Sequence, residues 1–276
     1  MFTEDLIPVA SGPPPVELYL ASTAGPPDRT LLVLHGGPDW DHSYLREPLD
    51  RLAGTHRLLM PDLRGCGRST RGLPDDQYTP DAAVSDLVTL LERTTDATPV
   101  DVLGFSYGGL LAQLLALTAP DRVRRLIIAS SSVLPPPPGG AGPRFPDDPA
   151  LTGPALTRAA AFAGAEQDVW SADRRAEYRA RLERVRFSAE WLRALRAGRL
   201  PSPRVPDAAH RLAALGTPLL LLHGAHDRTF PAGLVADTLP LIPGARGVVL
   251  PRAAHMAHID QPEPWLAAVA QFLESS

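Results

Sequence analysis

Ser106 lies in the run Gly104-Phe105-Ser106-Tyr107-Gly108, a Gly-x-Ser-x-Gly turn that leaves the apolar stretch 100–103 and opens into a helical stretch at 110–117. A serine hydroxyl is a weak nucleophile on its own and needs an adjacent base. The setting favours one. Small residues two before and two after Ser106 let the backbone turn sharply from strand to helix, which lifts the hydroxyl above a sheet and aims the first helix amides at the same spot. Asp227 follows the apolar stretch 218–222 by a few residues, and His255 lies in a small-residue turn after the stretch 247–250. These types suit an acyl-transfer set: Ser106 as nucleophile, His255 as its base, and Asp227 accepting from the imidazole and stabilising the imidazolium. Two alternatives stand beside this reading. His258, three residues on, rivals His255, and Asp227 also suits a helix start before Pro231.

Negative charge developing on a substrate carbonyl needs donors aimed at it. The stretch His35-Gly36-Gly37-Pro38 follows the apolar run 30–34, and its glycines permit close backbone approach to a ligand. The amides of Gly37 and Tyr107 form a two-donor oxyanion hole, each donor contributing roughly 3–4 kcal/mol in comparable sites. A plain strand-exit turn is the alternative for this loop. Asp39 and Trp40 come next and are candidate substrate contacts, Asp39 for a cationic group; helix N-capping before Tyr44 is the competing role for Asp39 or Asp41. The glycine-rich segment Asp62, Arg64, Gly65, Gly67 reads as a structural loop beneath the site. Cys66 within it is the only cysteine. An intramolecular disulfide and a cysteine metal cluster are thereby excluded, and Cys66 is expected to be inert.

These residues need a scaffold that collects strand ends. Short apolar runs at 30–34, 57–60, 100–103 and 126–129 alternate with helical stretches at 43–52, 80–94 and 107–119. Sheet signals return at 218–222 and 247–250, with helices at 233–239 and 264–273. Strands alternating with helices predict an α/β fold with a mostly parallel sheet covered on both faces. Residues 16–20 are expected to add an antiparallel edge strand. The alternation breaks at the prolines and glycines from Pro135 to Pro138, Gly139 and Gly140, and a second proline cluster closes the interruption at 201–206. Between them a helical stretch, 156–196, carries Phe162, Trp170, Tyr178, Phe187 and Trp191, with Glu177 and Arg181 spaced as a supporting pair. The expected organisation is a core domain of residues 1–134 and 213–276 interrupted by a helical cap, 135–212.

Composition narrows the function classes. The chain has 276 residues, is 44% hydrophobic and 21% charged, and carries a net charge of −4. With a pI near 6.1, neither nucleic acid nor an anionic membrane is an expected partner. All 27 basic residues are arginine, so lysine bases and Schiff bases are excluded. The first ten residues lack a basic region and a long apolar core, and a cytoplasmic enzyme, monomer or homodimer, is expected.

The order Ser106, Asp227, His255 is the chain order of α/β-hydrolases. Over essentially its whole length the sequence resembles that superfamily: an α/β-hydrolase fold with an inserted helical cap. Its HGGP loop, its DLRGCGRS loop and the cap resemble proline iminopeptidase-type serine hydrolases. The resemblance implies a cap that shapes a pocket for a small substrate, and acidic cap residues that hold a free amino group. Glu166, Asp168 and Glu190 are the candidates, Glu166 being grouped with Asp39, Trp40 and His258 as substrate-binding. The chain departs from the peptidases in having Asp39 and Trp40 after HGGP and Tyr107 rather than tryptophan after the serine. The expected function is hydrolysis of a small ester or amide through an acyl-enzyme, with no metal or organic cofactor required. The alternatives are a lyase, cyclase or acyltransferase using His255 as base, or a ligand-binding protein with a vestigial triad.

Overall fold

The computed structural model describes residues 1–137 and 145–275, so Gly139, Gly140 and the rest of 138–144 lie outside the described residues. Eight strands form one sheet: β1 (Phe2–Ala10), β2 (Val16–Thr23), β3 (Thr30–Leu34), β4 (Arg57–Pro61), β5 (Val100–Phe105), β6 (Val123–Ala129), β7 (Leu219–Gly224) and β8 (Arg246–Leu250). Their order is β1-β2-β4-β3-β5-β6-β7-β8. From β4 to β8 neighbouring strands are parallel, while β2 runs antiparallel to both β1 and β4.

The continuous apolar runs follow from burial on both faces. In β3, Leu32 and Leu34 enter one core and Leu31 and Val33 the other. The first core packs against helices α2 (Pro80–Thr94) and α3 (Tyr107–Thr118). The second meets the C-terminal helix α10 (Pro262–Glu274) and the turns around α1 (Arg46–Leu49). α2 opens on Pro80, where a missing amide costs nothing, and the Ala82 amide donates to Thr79 Oγ1 at 3.2 Å.

Two expectations need correction, and a third is refined. Residues 16–20 do not form an edge: β2 lies inside β1, whose exposed residues, broken by Glu4, Asp5 and Pro8, gave no apolar signal. The continuous helix expected at 43–52 is interrupted at Glu47, φ −96° and ψ 129°, because Pro48 excludes the helical region for the residue before it. The helical stretch 156–196 is three helices, α4 (Gly153–Asp168), α5 (Ala172–Arg184) and α6 (Glu190–Arg196).

The remaining helices are α7 (Ala208–Leu215), α8 (Gly233–Thr238) and α9 (Ala257–Asp260). Ala208, Ala209 and Leu212 of α7 pack in the sheet core beside α3, so the structural break falls before Asp207 rather than after residue 212. α4 to α6 cover the C-terminal ends of the strands without a core of their own. Ala161, Ala165, Tyr178 and Leu182 join one sheet core, and Trp191 and Ala194 the other. Among the described residues no helix is long and apolar enough to cross a membrane.

The strand–helix corner after β5 requires contact that only glycine permits. A Cβ on Gly108 would overlap the carbonyl oxygens of Leu34 and His35, where α3 crosses the end of β3. Gly108→Ala is therefore expected to lower unfolding free energy by about 1–3 kcal/mol in a urea titration. An unchanged midpoint would mean that α3 can move off β3 freely.

Candidate active site

The ends of β3, β5, β7 and β8 converge beneath the cap, the location where open α/β sheets gather functional groups. Ser106 occupies the corner between β5 and α3 at φ 53° and ψ −120°, a conformation that costs a non-glycine residue free energy. Neighbouring main chain holds it there: the Ser106 amide donates to Ala129 O at 2.9 Å, and Gly109 N donates to Ser106 O at 2.9 Å.

Ser106 Oγ lies 3.1 Å from His255 Nε2, and His255 Nδ1 lies 2.9 Å from Asp227 Oδ2. The other oxygen of Asp227 accepts from the amides of Thr229 and Phe230, at 2.8 and 2.9 Å. The carboxylate thus orders its own turn and faces the imidazole; it starts no helix, since α8 begins beyond Pro231 with Ala232 at its N-cap. The Phe230 ring stacks along His255, with centroids 6.1 Å apart. Burial alone would lower the His255 pKa. The charge and hydrogen bond of Asp227, with the charge of Asp168, outweigh it and hold the pKa above the ordinary imidazole value.

In the loop after β3, Gly36 N donates to Tyr44 Oη at 2.8 Å. Among the described residues the amides of Gly37 and Tyr107 meet no acceptor, and both residues line the cavity at Ser106. Gly37 has φ 115°, open to glycine and strained for other residues. His35 braces the loop, its Nδ1 2.8 Å from Gly36 O and its Nε2 accepting from Leu63 N at 3.0 Å. Asp62 and Arg64 are structural: Asp62 Oδ1 lies 2.6 Å from His42 Nδ1, and Arg64 makes two 2.6 Å hydrogen bonds to Asp86. Cys66 is buried, which pushes its thiol pKa well up and keeps it protonated.

The cavity above Ser106 measures about 690 Å³. Trp40 forms part of its wall, edge-on to Tyr44 and Phe187. Asp39 borders it too, but its carboxylate is committed to the protein. It accepts from Ser188 Oγ at 2.9 Å, Trp191 N at 3.0 Å and Leu192 N at 2.8 Å, capping the start of α6. The contacts of Asp39 are thus with the start of α6, a role the sequence does not announce, while the residue also borders the cavity. Asp41 is also a cap, accepting from Ser43 N at 2.9 Å.

Two further candidates lie elsewhere. His258 is fully buried among Tyr44, Phe105 and Trp265 and does not line the cavity, because α9 turns it inward. Glu166 is exposed on the outer face of α4, away from the cavity. Glu190 is held by Tyr78 Oη at 2.8 Å and by Arg193 at 3.0 Å. Of the three cap acids only Asp168 faces the cavity, where burial raises its carboxyl pKa and Tyr178 Oη approaches to 3.4 Å. Arg204, Arg228 and Phe230 were not singled out in the sequence. Arg228 had one available signal, its position directly after Asp227.

Residues 29–262 match the family model of the alpha/beta hydrolase fold. The chain belongs to that family. It is similar to a putative 2-succinyl-6-hydroxy-2,4-cyclohexadiene-1-carboxylate synthase of Bacillus subtilis (strain 168), 28% identical over 93% of this chain and 95% of that protein. A proline iminopeptidase of Heyndrickxia coagulans is 24% identical over 100% of both chains. Among solved structures, the 2-hydroxy-6-oxo-6-phenylhexa-2,4-dienoate hydrolase from Rhodococcus sp. strain RHA1 superimposes with a TM-score of 0.76 at 20% identity, covering 100% of this chain and 99% of that one. This α/β-hydrolase is an enzyme with relatives of differing substrates.

Two outcomes test the site's electrostatics and anchoring. A neutral imidazole is the competent base, so kcat/KM should rise with pH through an acid limb above 6.5. Asp168→Asn removes a charge that favours the imidazolium and should move that limb to lower pH; an unmoved limb would show that this charge does not reach His255. Asp39→Ala strands buried amides at the start of α6 and should cost about 2–4 kcal/mol in urea unfolding. A loss below about 0.5 kcal/mol, the level of an ordinary surface change, would mean that the loop does not anchor the cap.

Proposed function

We propose that this enzyme is a serine hydrolase cleaving a small ester or amide through an acyl-enzyme, without a metal or organic cofactor. The observation that carries the reading is the unbroken relay Ser106–His255–Asp227, with separations of 3.1 and 2.9 Å, at the base of a covered cavity. His255 takes the Ser106 proton as Oγ attacks the carbonyl carbon. The negative charge forming on the carbonyl oxygen meets the Gly37 and Tyr107 amides. As the tetrahedral intermediate collapses, His255 returns the proton to the leaving oxygen or nitrogen. Water then attacks the acyl-enzyme by the same route, His255 again acting as base, and the carboxylic acid leaves. Asp227 accepts from the imidazole Nδ1–H and holds the ring in one tautomer. Trp40, Leu110 and Met256 supply apolar surface to the small-molecule substrate.

Two narrower readings each rest on one observation. Aminopeptidase activity is favoured by the full-length similarity to the Heyndrickxia coagulans proline iminopeptidase and by Asp168 facing the cavity. A lyase, cyclase or acyltransferase reaction with His255 as base is favoured by the similarity to the putative Bacillus subtilis synthase.

Ser106→Ala should abolish both hydrolysis of p-nitrophenyl esters and covalent labelling by a fluorophosphonate. The unaltered enzyme should release a burst of p-nitrophenol equal to the enzyme concentration when deacylation is the slow step. Retained turnover in Ser106→Ala would overturn the proposal. A parallel panel of aminoacyl arylamides, proline included, decides the peptidase reading, and labelling of Ser106 without hydrolysis of any panel member would favour the non-hydrolytic reading.

A further inference from the structure

The cavity at Ser106 holds two guanidinium groups that the proposed chemistry does not use. Arg204, in the proline-rich segment before α7, and Arg228, directly after Asp227, both line it. Among the described residues neither lies within ion-pair distance of any carboxylate, whereas Arg174, Arg181 and Arg193 of the cap each hold a glutamate or aspartate. Residues 138–144 include no aspartate or glutamate.

The placement of Arg204 is specific. It is half-buried, donates to Leu134 O at 3.2 Å, and lies over the Phe230 ring with Cζ 5.9 Å from the centroid. That same ring stacks against His255 at 6.1 Å, so one aromatic ring separates the guanidinium from the catalytic imidazole. Burial lowers the Arg204 pKa, the direction expected of a cation withdrawn from water without a counter-charge. The cavity's own acids are engaged elsewhere: Asp39 accepts from three protein donors, and Tyr178 Oη approaches Asp168 at 3.4 Å.

We propose that Arg204 and Arg228 form a carboxylate subsite, so that the substrate is an ester or amide that also bears a free carboxylate. A planar guanidinium receives a carboxylate through paired N–H···O bonds, and a partly desolvated one gains most from it. Arg204 supplies the buried anchor. Arg228, more exposed at the rim, attracts the anion from solution. The inference rests on the serine-hydrolase reading for turnover but not for binding.

Two matched probe pairs test it: mono-p-nitrophenyl glutarate against p-nitrophenyl butyrate, with the carboxylate on the acyl side, and 3-acetoxybenzoate against phenyl acetate, with it on the leaving side. In at least one pair the carboxylate probe should have the higher kcat/KM, by about tenfold or more after correction for leaving-group reactivity. Arg204→Gln and Arg228→Gln should each reduce that ratio, through KM, and Arg204→Lys should restore part of it. Arg228 is exposed, so its variant keeps the test valid if Arg204→Gln folds poorly. Calorimetry with glutarate against glutaramide reads the subsite without turnover: glutarate should bind tighter to the unaltered protein and lose that advantage in Arg228→Gln. If Ser106 proves inert yet glutarate binds selectively, the hydrolase reading fails and the subsite stands. Equal ratios in both pairs, or glutarate binding unaffected by both substitutions, would overturn the subsite.

Discussion

The Asp39 carboxylate joins the two halves of the active site. It sits in the loop that carries Gly37, and it accepts two amides at the start of α6 together with the Ser188 hydroxyl. Burial raises its pKa, and those donors counter the penalty by favouring the charged form. The same pattern recurs around the rim. Asp41 accepts from Arg186 N at 2.9 Å, and Asp260 accepts from Trp170 N and Ser171 N, both at 2.9 Å. Three aspartates of the core thus end on main-chain amides where the cap changes direction, amides that would otherwise lack partners. The cavity keeps its shape through these bonds rather than through a separate cap core, since the apolar residues of the cap belong to the two sheet cores.

Anchoring of this kind matters because the chemistry is positional. Ser106 is held at positive φ by hydrogen bonds to β6 and within α3, and α3 can cross β3 closely only because Gly108 has no side chain. The Gly37 amide must then face the same point from a different loop. A displacement of either loop by a fraction of an ångström would misalign donors whose value depends on meeting charge as it forms. Asp227 shows the same economy, with one oxygen ordering the turn that carries Phe230 and the other orienting His255. Phe230 in turn backs the imidazole and supports Arg204.

Much of this was legible in the sequence where local rules dominate. The bounds of β3 and α2 agree with expectation because short buried strands and proline-started helices are governed by residues adjacent in the chain. Ser106, Asp227 and His255 were legible because each follows an apolar strand in a turn of small or polar residues. The choice of His255 over His258 was harder to make, since three residues around a short helical turn send one ring to Ser106 and the other into the core. Asp39 was ambiguous for a different reason: its partners lie about 150 residues away, and no local pattern announces them. β1 escaped notice because its pairing with β2 uses backbone groups, which alternation of side chains does not report where both faces are exposed.

The polarity of the cavity was the least legible feature, and it has most bearing on substrate choice. Helix charge patterns drew attention to the acids of the cap, yet most of these are consumed by structure: Glu190 by Tyr78 and Arg193, Glu177 by Arg174 and Arg181. Several cap arginines are consumed likewise, Arg158 by Glu183 and Arg193 by Asp75 and Glu190. The charged groups lining the cavity are Asp39, which anchors α6, and Asp168, Arg204 and Arg228. Pairing depends on distances set by the whole fold, so sequence alone cannot tell which charges are paired. Arg204 and Arg228 offer a ligand donors, and Asp168 offers an acceptor whose carboxyl pKa burial raises. Substrate charge is therefore read by residues distinct from the nucleophile, base and orienting acid, and the same relay can serve ligands of different charge.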